Sequence, residues 1–124
     1  MTAQQAWPQQ ALAQQAWASA GAIAEAVSSG KTSARTVVDE ALARIAALNP
    51  TLNAFTAVTA ERARARAAAI DAAPADVKKG YSLAGVPFAV KNLFDVAGLA
   101  TVAGSKINRS RAPAKADSPL IERL

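Results

Sequence analysis

The large apolar side chains of this sequence are sparse, and alanine fills most of the positions between them. That feature limits the fold more than any other. Alanine is the best helix former, but it removes little apolar area from water when it is buried. Hydrophobic residues make up 52% of the chain and aromatic residues only 5%. Helices are therefore well encoded and their cores are thin. A chain of 124 residues holds one modest domain. Such helices are expected to pack within a larger body.

The helical pattern begins near residue 19. Ile23 and Val27 lie four apart, on one face, and Gly30 is a natural stop. Thr32 or Ser33 is placed to cap a second helix. There Val38, Leu42, Ile45 and Leu48 form one stripe, and Asn49-Pro50 is expected to end it. Asp39 and Glu40 are adjacent, so on a helix they point about 100° apart. They read as a solvated face and not as an acid–base pair. Residues 52–58 read as a short strand. Thr59 is expected to cap a third helix with Ala60, Ala63, Ala67 and Ile70 inward, Arg62 and Arg66 outward, and Glu61 within reach of Arg64. Residues 74–82 read as a polar linker. At the other end, AQQAW occurs at 3–7 and again at 13–17. Two copies cannot bury a shared core, so residues 1–20 read as a low-complexity head and 21–124 as the folded part.

Fourteen basic residues against nine acidic ones give a net charge of +5. The basic residues cluster at Arg62, Arg64 and Arg66, and at Lys106, Arg109, Arg111 and Lys115. Such a balance fits a polyanion or a membrane surface. It also fits a soluble body whose compensating acids lie elsewhere. No aromatic residue is interleaved with the arginines, so the second reading is preferred and nucleic acid is not an expected partner. The absence of cysteine removes disulfides and thiolate metal sites, and the absence of histidine removes a Ser-His-Asp arrangement. No apolar run approaches the length of a membrane span, and no basic residue precedes Lys31. No membrane partner is expected, and a cytoplasmic location is the default expectation.

One lysine stands out. The stretch GVPFAVKNLFDVAG, residues 85–98, places Lys91 inside an apolar run. Residues 88–90 are apolar on both faces, which suits a strand covered on both sides. Three readings of Lys91 compete. Its stem is buried while its head reaches water; or it pairs with Asp95, an arrangement that contributes little net stability when buried; or burial disfavours its charged form and it carries a proton. Its place at the carboxyl end of the expected strand favours the third, because ligands of open α/β sheets bind there. Asp117 and Ser118 followed by Pro119 then read as a helix start, with Leu120, Ile121 and Leu124 beginning a stripe. A helix this well announced is expected to run on past residue 124.

GVPFAVKNLFDVAG followed by LATVAGS resembles the opening of the amidase-signature enzymes. Gly85, Pro87, Lys91, Asp95, Gly98, Thr101, Gly104 and Ser105 fall at that family's spacing. SSGKTSARTVVDEALARIAALNPTLNAF, upstream, is similar to its first helices, and Asp117, Leu120 and Leu124 resemble the start of its next one. The resemblance covers residues 21–124. It implies an α/β fold with helices packed on a mixed β-sheet, of which this chain supplies the N-terminal portion. It also implies amide hydrolysis by a Ser–cis-Ser–Lys mechanism, with Lys91 as the catalytic lysine and Thr101, Gly104 and Ser105 as pocket or loop candidates. It calls for no metal or organic cofactor. It implies a small-molecule amide as substrate, a small helical partner subunit, and a homo-oligomer at full length. AGSKINR, residues 103–109, is similar to a narrower branch, the hydrolases that deaminate carboxybiuret in cyanuric-acid breakdown. The A-type component of the glutamine-dependent tRNA amidotransferase shares the broader pattern. A basic non-catalytic binding module is the reading outside the family.

The sequence departs from the family in one respect. The two catalytic serines lie in a glycine- and serine-rich stretch after the lysine, and residues 92–124 contain none. Ser105, Ser110 and Ser118 do not sit in that context. The chain is thus expected to be a fragment that holds the base without the nucleophile and is inactive alone.

Overall fold

A computed structural model describes residues 18–124. The repeat at 3–7 and 13–17 lies outside the described residues, as does most of the expected head. The chain divides into two units, one ending at Pro87 and the other running from Phe88 to Leu124.

The described residues of the first unit form four helices. Helix α1 spans Ala20–Ser28 and starts at Ser19, whose hydroxyl accepts the Ala22 N–H at 3.2 Å. It stops at Gly30, which sits at φ 76°, where a side chain would be strained. Helix α2 spans Ala34–Leu52. Its first N–H groups have no partner within the helix and find them outside it. The Ser33 hydroxyl accepts the Thr36 N–H at 2.9 Å. The Asp71 carboxylate accepts those of Ala34 at 2.7 Å and Arg35 at 3.0 Å.

Helix α2 does not end at Asn49-Pro50 as expected. Pro50 lies inside it, and the end comes at Asn53, in the left-handed conformation at φ 49°. Pro50 forfeits one backbone bond in the last turn, where few remain. The Asn49 side chain then grips the exit, accepting the Phe55 N–H at 2.8 Å and donating to the Phe55 carbonyl at 3.1 Å.

Helix α3 spans Ala60–Ala72 and packs against α2. Thr59 precedes it, but its side chain makes no capping bond. Residues 74–82, a linker by composition, instead contain helix α4, Ala75–Gly80. Asp76 in its first turn and Lys78 and Lys79 in its last complement the helix dipole. Val27, Ala34, Val38, Ala67 and Ala84 form the buried core, with Ile23, Val37, Leu42, Ala63 and Ile70 packed against it. Three of the five buried members are alanines, so the helices approach closely across little apolar volume. Gly85 takes part in that approach. It sits at φ 72°, and a Cβ there would lie 2.9 Å from Val27 Cγ2 and 3.0 Å from the Ala34 Cβ.

An ion network crosses the exposed side of α2 and α3. Arg64 donates to Asp39 at 2.9 Å and to Glu61 at 3.0 Å, and Arg35 donates to Asp39 at 2.8 Å. Hydrogen bonds from Arg64 first, and then from Arg35, hold the Asp39 carboxyl below its ordinary range.

The second unit is made of turns and irregular segments with two short helical pieces, a 3-10 helix at Lys106–Ser110 and helix α5 at Pro119–Glu122. Pro119 lies in the first turn of α5, where the fixed φ of proline costs nothing.

The expectation of helices on a mixed β-sheet is overturned. Among the described residues there is no strand and no sheet. Leu52 belongs to α2, Asn53 is left-handed, and the backbone of Phe55 is bound by Asn49. Residues 88–90 belong to no regular element, no segment among the described residues forms a ladder with them, and Phe88 is 54% exposed. Apolar residues on both faces mark a segment as compatible with a sheet; a ladder also needs a neighbour to exchange its N–H and C=O bonds.

Candidate active site

Lys91 follows the irregular residues 88–90 and begins a turn. Its carbonyl accepts the N–H groups of Leu93 at 2.7 Å and Phe94 at 3.2 Å. The next residue, Asn92, reaches across to residues 102 and 103. Its Oδ1 accepts the Val102 N–H at 3.0 Å, and its carbonyl accepts the Ala103 N–H at 2.8 Å. From another direction, Asn108 Nδ2 donates to the Val102 carbonyl at 3.1 Å. That carbonyl also accepts the Ser105 N–H at 2.9 Å. Ala103 and Gly104 have φ of 49° and 71°, so residues 102–105 follow the pattern of a type I′ turn. The Ser105 hydroxyl accepts the Ile107 N–H at 3.3 Å and caps the 3-10 helix.

The rest of the unit is tied in the same manner. Asp95 accepts the Thr101 hydroxyl through its carboxylate, and its carbonyl accepts the Ser118 N–H at 2.9 Å. The Asp117 carboxylate accepts the Ala97 N–H at 2.8 Å. Gly98 donates to the Ala114 carbonyl at 2.9 Å, and Ala114 donates to that of Leu99 at 2.9 Å. Asparagine and aspartate side chains imitate a backbone partner in turns, and here they hold together a body without a ladder.

Each residue singled out in the sequence has a definite place. Thr101 is half-buried against Asp95, Ser105 is half-buried at the start of the 3-10 helix, and Gly104 is exposed at the turn with open space where a Cβ would stand. Lys91 is exposed, and so are Phe88, Leu93 and Phe94 around it. The expected burial of this run does not occur within the second unit, whose side chains leave it exposed. Asp95 is engaged by Thr101 and does not pair with Lys91. Sequence reasoning missed Asn92, Asn108 and the left-handed Ala103. Asparagine next to the lysine was the available signal for the first; nothing announced an alanine with positive φ.

Among the described residues, no group of three or more histidine, cysteine or acidic side chains is arranged to hold a metal ion. Nor is any described helix long and apolar enough to cross a membrane.

The family model for amidases matches residues 36–124, a span that includes Lys91 and the whole turn-built unit. The chain belongs to the amidase family. It is 56% identical over 102 residues to AtzE, the 1-carboxybiuret hydrolase component of Pseudomonas sp. (strain ADP), a match covering 82% of this chain and 22% of that protein. It is 44% identical over 107 residues to the A-type component of the glutamyl-tRNA(Gln) amidotransferase of Anaeromyxobacter sp. (strain K), covering 86% of this amidase chain and 20% of that one. A solved structure described as a vestigial protein complex revealing the evolutionary origins of an s-triazine catabolic enzyme matches with a TM-score of 0.71 at 53% identity, over 82% of this chain and 22% of that one. The amidase chain thus spans about a fifth of the length of the curated relatives it matches.

Proposed function

We propose that the full-length protein carrying this segment hydrolyses the carbon–nitrogen bond of a small linear amide, with Lys91 as the terminal proton carrier of a Ser–cis-Ser–Lys mechanism. A serine Oγ attacks the amide carbonyl. Its proton passes to the second serine, whose own proton passes to the neutral Lys91 amine. Backbone N–H groups stabilise the oxyanion. The proton returns along the same relay to the leaving nitrogen, which departs and leaves an acyl-enzyme. Water then attacks the acyl group and gives its proton to the relay, and the acid is released as the serine recovers a proton. Neither serine is assigned to a residue of this chain. The cycle starts from a neutral amine, so the reading requires a catalytic state in which Lys91, exposed here, is covered.

The observation that carries the reading is the match across Lys91 to proteins named for amide chemistry. The substrate class follows the stronger likeness. Identity of 56% to a 1-carboxybiuret hydrolase component, against 44% to an amidotransferase component, favours carboxybiuret or a related urea-type amide. The transfer of an amide nitrogen from glutamine is the second reading, supported by the several amidotransferase relatives. The likeness to a solved structure described as a protein complex supports a small partner subunit, and assembly into a homo-oligomer is part of the same proposal. The test is ammonia release by the full-length protein from 1-carboxybiuret and, separately, from glutamine. Release from carboxybiuret alone supports the hydrolase. Release from glutamine alone supports the amidotransferase, and no release from either with a stable, folded protein contradicts both.

A further inference from the structure

The geometry points to Asn92 as a positioning residue that fixes the strained turn 102–105 to the backbone of Lys91. The inference rests on the amidase reading above. Alanine at positive φ costs about 1–2 kcal/mol relative to a right-handed conformation, and such strain persists only where its surroundings over-determine it. At Ala103, with φ 49°, they do. Asn92 binds the N–H groups of both Val102 and Ala103, and Asn108 binds the Val102 carbonyl. A turn whose task is only to connect two segments places asparagine or glycine at this position and needs no outside support.

Two of the three supporting bonds come from the residue joined by a peptide bond to Lys91. Any shift of residue 92 therefore shifts the lysine backbone and the turn together, and the turn carries Ser105 and adjoins Thr101. The Oδ1 of Asn92 acts as an acceptor toward Val102, a role a carboxylate oxygen can fill and a methyl group cannot. Asn92 is thus assigned to hold the lysine and the loop at a fixed separation during the reaction. A misplacement of about 1 Å at such a site costs about 100-fold in rate.

The experiment compares the full-length protein with its Lys91→Ala, Asn92→Ala and Asn92→Asp variants in steady-state amide hydrolysis. Asn92→Ala is expected to lower kcat about 10- to 100-fold while KM moves less than about threefold, and Asn92→Asp to recover most of that loss. Wild-type kcat in Asn92→Ala, or folded Asn92→Asp no better than folded Asn92→Ala, overturns the assignment. With Lys91→Ala inactive, either result leaves the amidase reading standing. Wild-type turnover in Lys91→Ala removes both. Should Asn92→Ala fail to fold, amide hydrogen exchange in the wild-type protein decides. Slow exchange at Val102 and Ala103 is expected, and exchange as fast as in an unsupported turn overturns the assignment.

Discussion

Asp71 caps a helix that begins 37 residues before it: its carboxylate accepts the Ala34 N–H at 2.7 Å and, through its other oxygen, the Arg35 N–H at 3.0 Å. The bonds join the end of α3 to the start of α2 in a unit whose core is mostly alanine. With so little apolar volume to bury, polar ties of this kind carry a larger share of the specificity. Asp71→Ala is expected to destabilise the first unit by about 1–3 kcal/mol, as loss of a charge-assisted cap. Asp71→Asn, which keeps one acceptor, is expected to cost less. The midpoint of urea unfolding followed by circular dichroism checks both.

Gly85 touches the same core from the chain's other side. Gly85→Ala sets a methyl group against Val27 and Ala34 at a left-handed φ of 72°. Overpacking and backbone strain then add, and a loss of about 1–3 kcal/mol is expected. An unchanged melting temperature contradicts the close packing described for this turn.

Asp39 links stability to pH. Its carboxyl is held below the ordinary value of 3.8 by Arg64 first and then by Arg35. A group whose pKa is depressed on folding contributes stability above its unfolded value and loses it as pH falls through the folded one. The contribution is therefore present at neutral pH and disappears below about pH 4. Asp39→Asn is expected to flatten the acid side of the stability–pH curve. Because the group is exposed, added salt is expected to shrink the difference. A curve of equal slope in both proteins contradicts the network.

Ala103 lends itself to the opposite kind of change. Glycine adopts its φ of 49° without strain, at the cost of a more flexible unfolded chain. Ala103→Gly is expected to be neutral or stabilising by about 0.5–1 kcal/mol. Differential scanning calorimetry of the second unit's transition measures it, and a clear loss of stability contradicts the left-handed assignment.

Local signals were legible where the structure is local. Ser33 caps α2, Gly30 stops α1 and Glu61 reaches Arg64, because each depends on neighbours within four residues; Ala63, Ala67 and Ile70 share the inner face that helical spacing gives them. The long-range part was not. Residues 88–90 are apolar on both faces, as a covered strand is, yet whether they pair depends on atoms far away in sequence. The apolar neighbours of Lys91 argue for its burial, but apolar neighbours need something to lie against, and the second unit by itself does not supply it. Helix α2 passes through Pro50 and ends only at Asn53, where a left-handed residue and the bonds from Asn49 to Phe55 form the exit, an ending that a proline rule does not anticipate. The clamp from Asn92 to residues 102 and 103 was hidden for the same reason. The family spacing of Thr101, Gly104 and Ser105 marked the loop, and it is the bonds from Asn92 and Asn108 that hold it.

In the proposed mechanism the Lys91 amine carries the proton of amide cleavage, and one measurement bears on it directly: the rate of ammonia release by the full-length protein and its Lys91→Ala and Lys91→Arg variants, each shown to be folded. Both substitutions are expected to reduce kcat by at least about a thousandfold, arginine included, because its guanidinium stays protonated and cannot accept a proton. Wild-type turnover in either variant contradicts the account.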